Sequence, residues 1–255
     1  MGNEPNAAEK VLMLLNAFLP DNCPRGTTEL CKEVKMRPAT VSRLLSILRL
    51  HDFVEQDVDR KYRLGYATGM LGKAVNASRT ARQLEVIHVH LLGLNRALGE
   101  NVHFELLSGR NVIRAILVPG SKPVHVTAKT GEWVDINASA GGKAVLAFMA
   151  PDQLEAMVKA HPVLRAFTGN TIRDWNTLKR QLAQIKQSGI AYDQVEYMEG
   201  ICAVGVPAFD SSGTVLGAVV VPVPVDRAAI ISAKKTKDLL KVTAAKITED
   251  LKDLP

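Results

Sequence analysis

The sequence predicts an α+β chain in two parts, and three observations carry that reading. Thr27 to Leu64 reads as a helix, a tight turn, a second helix and a small hairpin. Beyond about residue 80, short β-type runs joined by Gly-containing turns alternate with amphipathic helical stretches. Between them, Leu64 to Ser78 (LGYATGMLGKAVNAS) reads as a helix weakened by glycines, with no Ser/Gly/Pro-rich linker. The expected division is residues 1–66, a linker helix over 67–79, and residues 80–255.

Residues 1–7 are small and polar and are expected to fray. Val11, Leu12, Leu14, Leu15 and Phe18 give Glu9–Leu19 one apolar helical face. Pro20 stops that helix, and Asp21–Gly26 is a loop. Thr27 or Thr28 is expected to cap the next helix, which buries Leu30, Cys31 and Val34. Lys35-Met36-Arg37 is the turn, with Met36 plugging the core. Pro38 opens the following helix at a position where its missing N–H costs nothing. Val41, Leu44, Leu45 and Leu48 share that helix's inner face, and Ala39, Thr40, Ser42, Arg43 and Ser46 lie on or beside the outer one. Small residues let a helix backbone approach a DNA groove. Ser and Thr hydroxyls contact bases or phosphates, and Arg reads guanine or grips phosphate. By itself this pattern also fits an ordinary amphipathic helix with a solvated polar face.

The next segment favours DNA. Phe53–Gln56 and Lys61–Leu64 read as two short strands around a turn at Asp57–Arg60. Such a wing completes a winged helix-turn-helix, which sets its second helix in the major groove. Arg60, Lys61 and Arg63 are placed to meet phosphates. From Lys32 to Arg49 the bases Lys32, Lys35, Arg37, Arg43 and Arg49 face a single acid, Glu33. That local stripe says more than the net charge of +6, which is spread over both parts of the chain.

The segments AEKVLMLLNAF, ELCKEVKMRPATVSRLLSIL and FVEQ…RKYRLG resemble the IclR family of bacterial transcription regulators. The resemblance implies a DNA-facing set of Thr28, Arg37, Pro38, Ala39, Thr40, Ser42, Arg43, Arg60 and Lys61. It also implies that the linker helix helps form a dimer. Two departures stand out. Lys35 occupies the turn where the family commonly has Gly, and the proline falls one place later than usual.

In the second part, Arg82–Leu98 is helical with Leu84, Ile87, Leu91, Leu94 and Leu98 on one face. Asn101–Leu107 and Asn111–Pro119 form a hairpin, and Val124–Ala128 reads as a further strand. Ser139-Ala140-Gly141-Gly142-Lys143 leads into a helix ended by Pro151. Helices follow at about Asp152–Lys159 and Trp175–Ser188. Gly200–Asp210 and Thr214–Val225 make a second strand pair, and a single helix runs from about Arg227 to Leu251. The order predicts a mostly antiparallel sheet with helices packed on it.

The resemblance continues through SAGGKAVLAF and SGIAYDQVEYMEGICAVGVPAFDSSGTVLGAVVV, so it covers nearly the whole chain. It implies a GAF-like domain that binds a small organic acid. Ser139, Ala140, Gly141 and Gly142 start a helix whose free N–H groups suit an anion, although a tight packing turn explains the glycines as well. Asp193 matches a family position that touches the effector. Polar-pocket members carry a cysteine where this chain has Ala203, and serines where it has Val220 and Pro222. Cys202 falls one residue early, on the opposite side of the strand. The pocket is therefore expected to be more apolar and to take a larger or aromatic acid, with Val124 and Val126 as further wall residues.

The composition is that of a globular protein, with 47% apolar residues to fill its cores. Cys23, Cys31 and Cys202 form no CxxC pair, so neither a zinc ribbon nor a disulfide framework is expected. The N-terminus lacks a secretory pattern and the longest apolar run, Val215–Val225, is too short to span a bilayer, so a cytoplasmic location without membrane contact is expected. No GxSxG, P-loop, HExxH or GxGxxG motif occurs. His88, His90, His103 and His125 are expected at the surface without a metal. The expectation is thus a regulator without catalytic residues or cofactor, a homodimer or tetramer on a pseudo-palindromic duplex operator. Two readings stay open: a C-terminal domain that only oligomerises, and an enzyme using the C-terminal pocket.

Overall fold

The computed structural model describes residues 5–19, 21–76 and 79–254. The expectations for residues 1–4, the stop at Pro20 and the linker end at Ser78 lie outside the described residues. The chain divides into two compact units, Met1–Ala81 and Arg82–Pro255.

In the first unit, α1 (Ala7–Asn16) is opened by a reciprocal cap. Glu9 N donates to Asn6 Oδ1 and Asn6 N donates to Glu9 Oε2. α2 (Thr27–Val34) starts after Gly26, so neither Thr27 nor Thr28 caps it. Glu29 Oε2 instead accepts from Gly26 N at 2.6 Å. Lys35 ends α2 in the left-handed region, φ 52° and ψ 40°. Met36 then packs against the core, and α3 (Pro38–Leu50) begins with its proline in the first turn. β1 (Val54–Gln56) and β2 (Tyr62–Leu64) pair antiparallel, Val54 opposite Leu64. Arg25 adds a single bridge to Tyr62. Leu14, Phe18, Leu30, Val34, Val41, Leu45, Leu48 and Val54 form the core. Each such side chain contributes roughly 1.5–3 kcal/mol by leaving water. α4 (Tyr66–Asn76) follows the wing.

The second unit is a six-stranded antiparallel sheet with helices on both faces. Its elements are α5 (Arg79–Leu98), β3 (Val102–Ser108), β4 (Asn111–Val118), β5 (Trp133–Val134), α6 (Ala140–Phe148), α7 (Pro151–Ala160), α8 (Trp175–Ser188), β6 (Ala191–Gln194), β7 (Ile201–Phe209), β8 (Val215–Pro224), α9 (Ala228–Ser232) and α10 (Lys234–Asp250). The strand order is β5-β4-β3-β8-β7-β6. α5 and α10 cover one face through Ile87, Leu91, Leu240 and Ile247. α6, α7 and α8 cover the other through Ala144, Met157, Leu178 and Leu182.

Four sequence expectations change here. Val124–Ala128 is not a strand: it lies in a loop tied by Arg227, which donates to Val124 O, and by Asn101, which donates to Val126 O. β5 and β6 are strands too short to show a period. The single C-terminal helix is broken, with a 3-10 turn at Val225–Arg227 and extended backbone at Ala233 between α9 and α10. His103 is buried rather than exposed.

Candidate nucleic-acid interface and ligand site

α3 turns Val41, Leu45 and Leu48 into the core, which fixes what its other face presents. Arg37, Pro38, Ala39, Ser42 and Arg43 are exposed, and Thr40 is half-buried. Thr28 is exposed in the first turn of α2. The wing tip is held by its own hydrogen bonds: Asp57 Oδ1 accepts from Asp59 N and Lys61 N, and Gln56 donates to Arg60 O. This leaves Arg60 and Lys61 exposed. Arg63 differs, because its guanidinium meets Glu55 across the ladder at 2.5 Å. Arg49, at the end of α3, is tied to Gln56 of β1 at 2.9 Å, joining helix to wing.

In the second unit the first turn of α6 lies directly on the sheet. Ser139 caps it, its Oγ accepting from Gly142 N at 2.9 Å. A Cβ on Gly205 of β7 would press on Ala140, and one on Gly141 would collide with Glu105 and Val220. A Cβ on Gly142 would strike the Ile136 backbone, which makes Gly142 a packing requirement. Asp193, Ala203 and Pro222 sit side by side across β6, β7 and β8. The fold therefore gathers Ser139, Ala140, Gly141, Gly142, Asp193, Ala203, Val220 and Pro222 around one helix start. It separates three others. Cys202 packs into the core of the opposite sheet face and leaves the set. Val124 is 66% exposed, and Val126 is half-buried in the same loop. A cavity of about 280 Å³ beside β5 is lined by Trp133, Asp135, Asn137, His161 and Arg165 among others, and by none of the expected ligand residues.

Polar and charged side chains that were not expected at the ligand site lie close to this set. His103 and Glu105 of β3, Arg114 of β4, Lys143 of α6 and Glu196 beyond β6 are all buried, and the charges of Glu105, Lys143 and Glu196 reach Asp193. A bulge at Ala115 of β4, where the register steps from Phe104–Ile116 to Glu105–Arg114, sets Glu105 opposite Arg114 and turns both toward α6. Arg114 Nε donates to His103 Nδ1 at 3.2 Å, and its Nη1 donates to Glu132 at 2.6 Å. Arg114 Nη2 stands 3.9 Å from Glu105 Oε1. Lys143 Nζ donates to Glu196 Oε1 at 2.5 Å. Asp193 Oδ1 accepts from the N–H groups of Glu196 and Tyr197. That turn holds Val195 at φ 59°, a left-handed conformation costing a β-branched residue on the order of 1–2 kcal/mol. Burial pushes the Glu105 carboxyl up to about 7 and the Asp193 carboxyl up to about 6. The same desolvation lowers the Lys143 ammonium and holds His103 well below the ordinary histidine range. One signal was legible: His103 and Glu105 alternate with Val102, Phe104 and Leu106, which aims two polar groups at one face.

Among the described residues no helix is long and apolar enough to cross a membrane, and no group of acidic, His and Cys side chains could hold a metal ion. A helix-turn-helix with a wing and a separate antiparallel sheet with a buried polar cluster define a DNA-binding regulator. Comparison with known proteins gives the family. Residues 7–58 match the IclR helix-turn-helix domain, and residues 77–249 match the bacterial transcriptional regulator IclR C-terminal domain. The chain belongs to the IclR family of bacterial transcription regulators. It is 30% identical to the DNA-binding transcriptional repressor YiaJ of Escherichia coli, over 94% of this chain and 86% of that one. It is 27% identical to the E. coli HTH-type transcriptional regulator XynR, over 83% of each. The crystal structure of the Thermotoga maritima IclR superposes with a TM-score of 0.71 at 26% identity, covering 97% of this chain and 99% of that one. An IclR homologue from Microbacterium hydrocarbonoxydans, complexed with 4-hydroxybenzoate, shares the fold with a TM-score of 0.78 at 22% identity, covering 96% and 99%.

Proposed function

We propose that this protein binds a pseudo-palindromic duplex operator as a homodimer in the cytoplasm, through α3 in the major groove and the wing on the backbone. The C-terminal unit, residues 80–255, controls that binding by taking up a small molecule beneath the start of α6. The observation that carries the DNA reading is the division of α3 between a core face and an exposed face of small, hydroxylic and basic residues. Contacts are assigned to Thr28, Arg37, Pro38, Ala39, Thr40, Ser42 and Arg43 on the helices and to Arg60 and Lys61 on the wing. The sensing reading is supported by the buried charges around Ser139–Gly142, Asp193, Ala203, Val220 and Pro222. Groups so costly to bury serve a packed core poorly and a binding site well. Exposed Tyr66, Met70 and Leu71 on α4 favour contact with a second copy. A ligand regulates only if it favours one arrangement of the DNA-binding domains over another.

The organic acid expected from the resemblance would have to share the start of α6 with the Glu105 carboxylate. Gel retardation with a fragment from upstream of the protein's own gene tests the function: the protein retains it, and retention falls steeply with salt. A reading in which the C-terminal unit only oligomerises predicts that no small molecule alters this retention.

A further inference from the structure

The first turn of α6 presents N–H groups without intrahelical acceptors, a setting that favours negative charge. In this chain a carboxylate is already there. Glu105 is buried, and its Oε2 lies so near Gly141 that a Cβ there would collide with it. That oxygen has no hydrogen-bond partner, and neither has Glu196 Oε2 or His103 Nε2. Because His103 Nδ1 accepts from Arg114, its Nε2 carries the ring proton and is a donor. The unmatched atoms of this cluster are thus two carboxylate acceptors and one donor.

We propose that Glu105 supplies the anion for the start of α6 from within the protein, so that the ligand brings hydrogen-bond donors, hydroxyl or ammonium, and no carboxylate. The proposal rests on the reading of the C-terminal unit as a sensor and deepens it. Two features disfavour a second anion there once Glu105 is ionised. Glu105, Glu132, Asp193 and Glu196 outnumber Arg114 and Lys143, and both cations are already engaged, Arg114 with Glu132 and Lys143 with Glu196. A ligand carboxylate beside Gly141 would also meet Glu105 where no solvent screens the repulsion. A hydroxyl or ammonium group at the same place satisfies the open oxygens of Glu105 and Glu196.

Chemical replacement tests this on the full chain at pH 8, where Glu105 is ionised. Glu105→Ala removes a group of nearly the size and charge of acetate. Sodium acetate is expected to raise the melting temperature of Glu105→Ala well above its value in sodium chloride of equal ionic strength. Acetamide should not do so, and acetate should leave the wild type unchanged. If acetate acts on the wild type as on the variant, or on neither, the proposal is overturned. Glu105→Gln keeps the volume and gives a second reading. Its affinity for benzoate should exceed that of the wild type at least tenfold, and equal affinities overturn the proposal. Operator retention by the same proteins keeps the two readings apart. A carboxylate that binds the wild type and releases DNA upholds the sensor and sinks this inference. Acetate replacement alongside operator binding that no ligand alters upholds Glu105 as the anion of α6 and sinks the sensor.

Discussion

Burial is the largest influence on the Glu105 carboxyl: it raises the group to about 7, against the opposing charge of Arg114 and with help from Asp193. A carboxyl raised in the folded state binds its proton more tightly there than in the unfolded chain. Its stabilising contribution is complete below the ordinary value of 4.5 and is lost as pH rises through about 7. The span corresponds to about 3 kcal/mol. Asp193, raised to about 6, acts with the same sign. Thermal melts between pH 4.5 and 8 should therefore show stability falling with pH, and Glu105→Gln should flatten that fall. On the DNA side, Arg43→Ala should weaken operator binding by about 1–3 kcal/mol and relax preference at one base position. Lys61→Ala should weaken all duplexes alike and lower the salt slope by about 1. Fluorescence anisotropy with operator and scrambled duplexes separates the two.

At the scale of elements, Lys35 holds a left-handed turn that glycine adopts freely. Lys35→Gly should stabilise the first unit by roughly 0.5–1 kcal/mol in urea melts, with no loss of operator affinity. The loop carrying Val124 and Val126 hangs on Glu100, which Arg227 grips with two 2.7 Å bonds and Lys122 with one of 2.6 Å. Removing the fork with Arg227→Ala should cost on the order of 2 kcal/mol and speed hydrogen exchange in that loop. The same elements show how far the sequence reaches. α2, α3 and the wing were legible because each buries one periodic face and is closed by Pro or a turn. Ser139–Gly142 was legible as a capped helix start. Val124–Ala128 reads as a strand because β-branched residues cluster there, yet its carbonyls are claimed by Arg227 and Asn101 instead of a ladder. Beyond the alternation in β3 that marks His103 and Glu105, the buried charges of Arg114, Lys143 and Glu196 could not be found from local pattern. They meet Glu105 only through the bulge at Ala115 of β4, the β3–β4 register and the turn at Val195, which are properties of the sheet.

Across the whole molecule, the proposed DNA-reading unit is paired with a proposed sensing unit in which Glu105, Asp193 and Glu196 are buried. The proposed dimer would make operator occupancy depend on protomer concentration. Doubling the operator to two half-sites about one helical turn apart should therefore strengthen binding far more than adding the same length of unrelated DNA. The most direct test of the central claim is an anisotropy titration of the full chain with the duplex upstream of its own gene, run from 50 to 200 mM salt beside a scrambled duplex. The account predicts tighter binding to the native duplex and a logarithmic affinity that falls linearly with the logarithm of salt, with a slope of several units. Equal affinity for the two duplexes, or binding indifferent to salt, would contradict it.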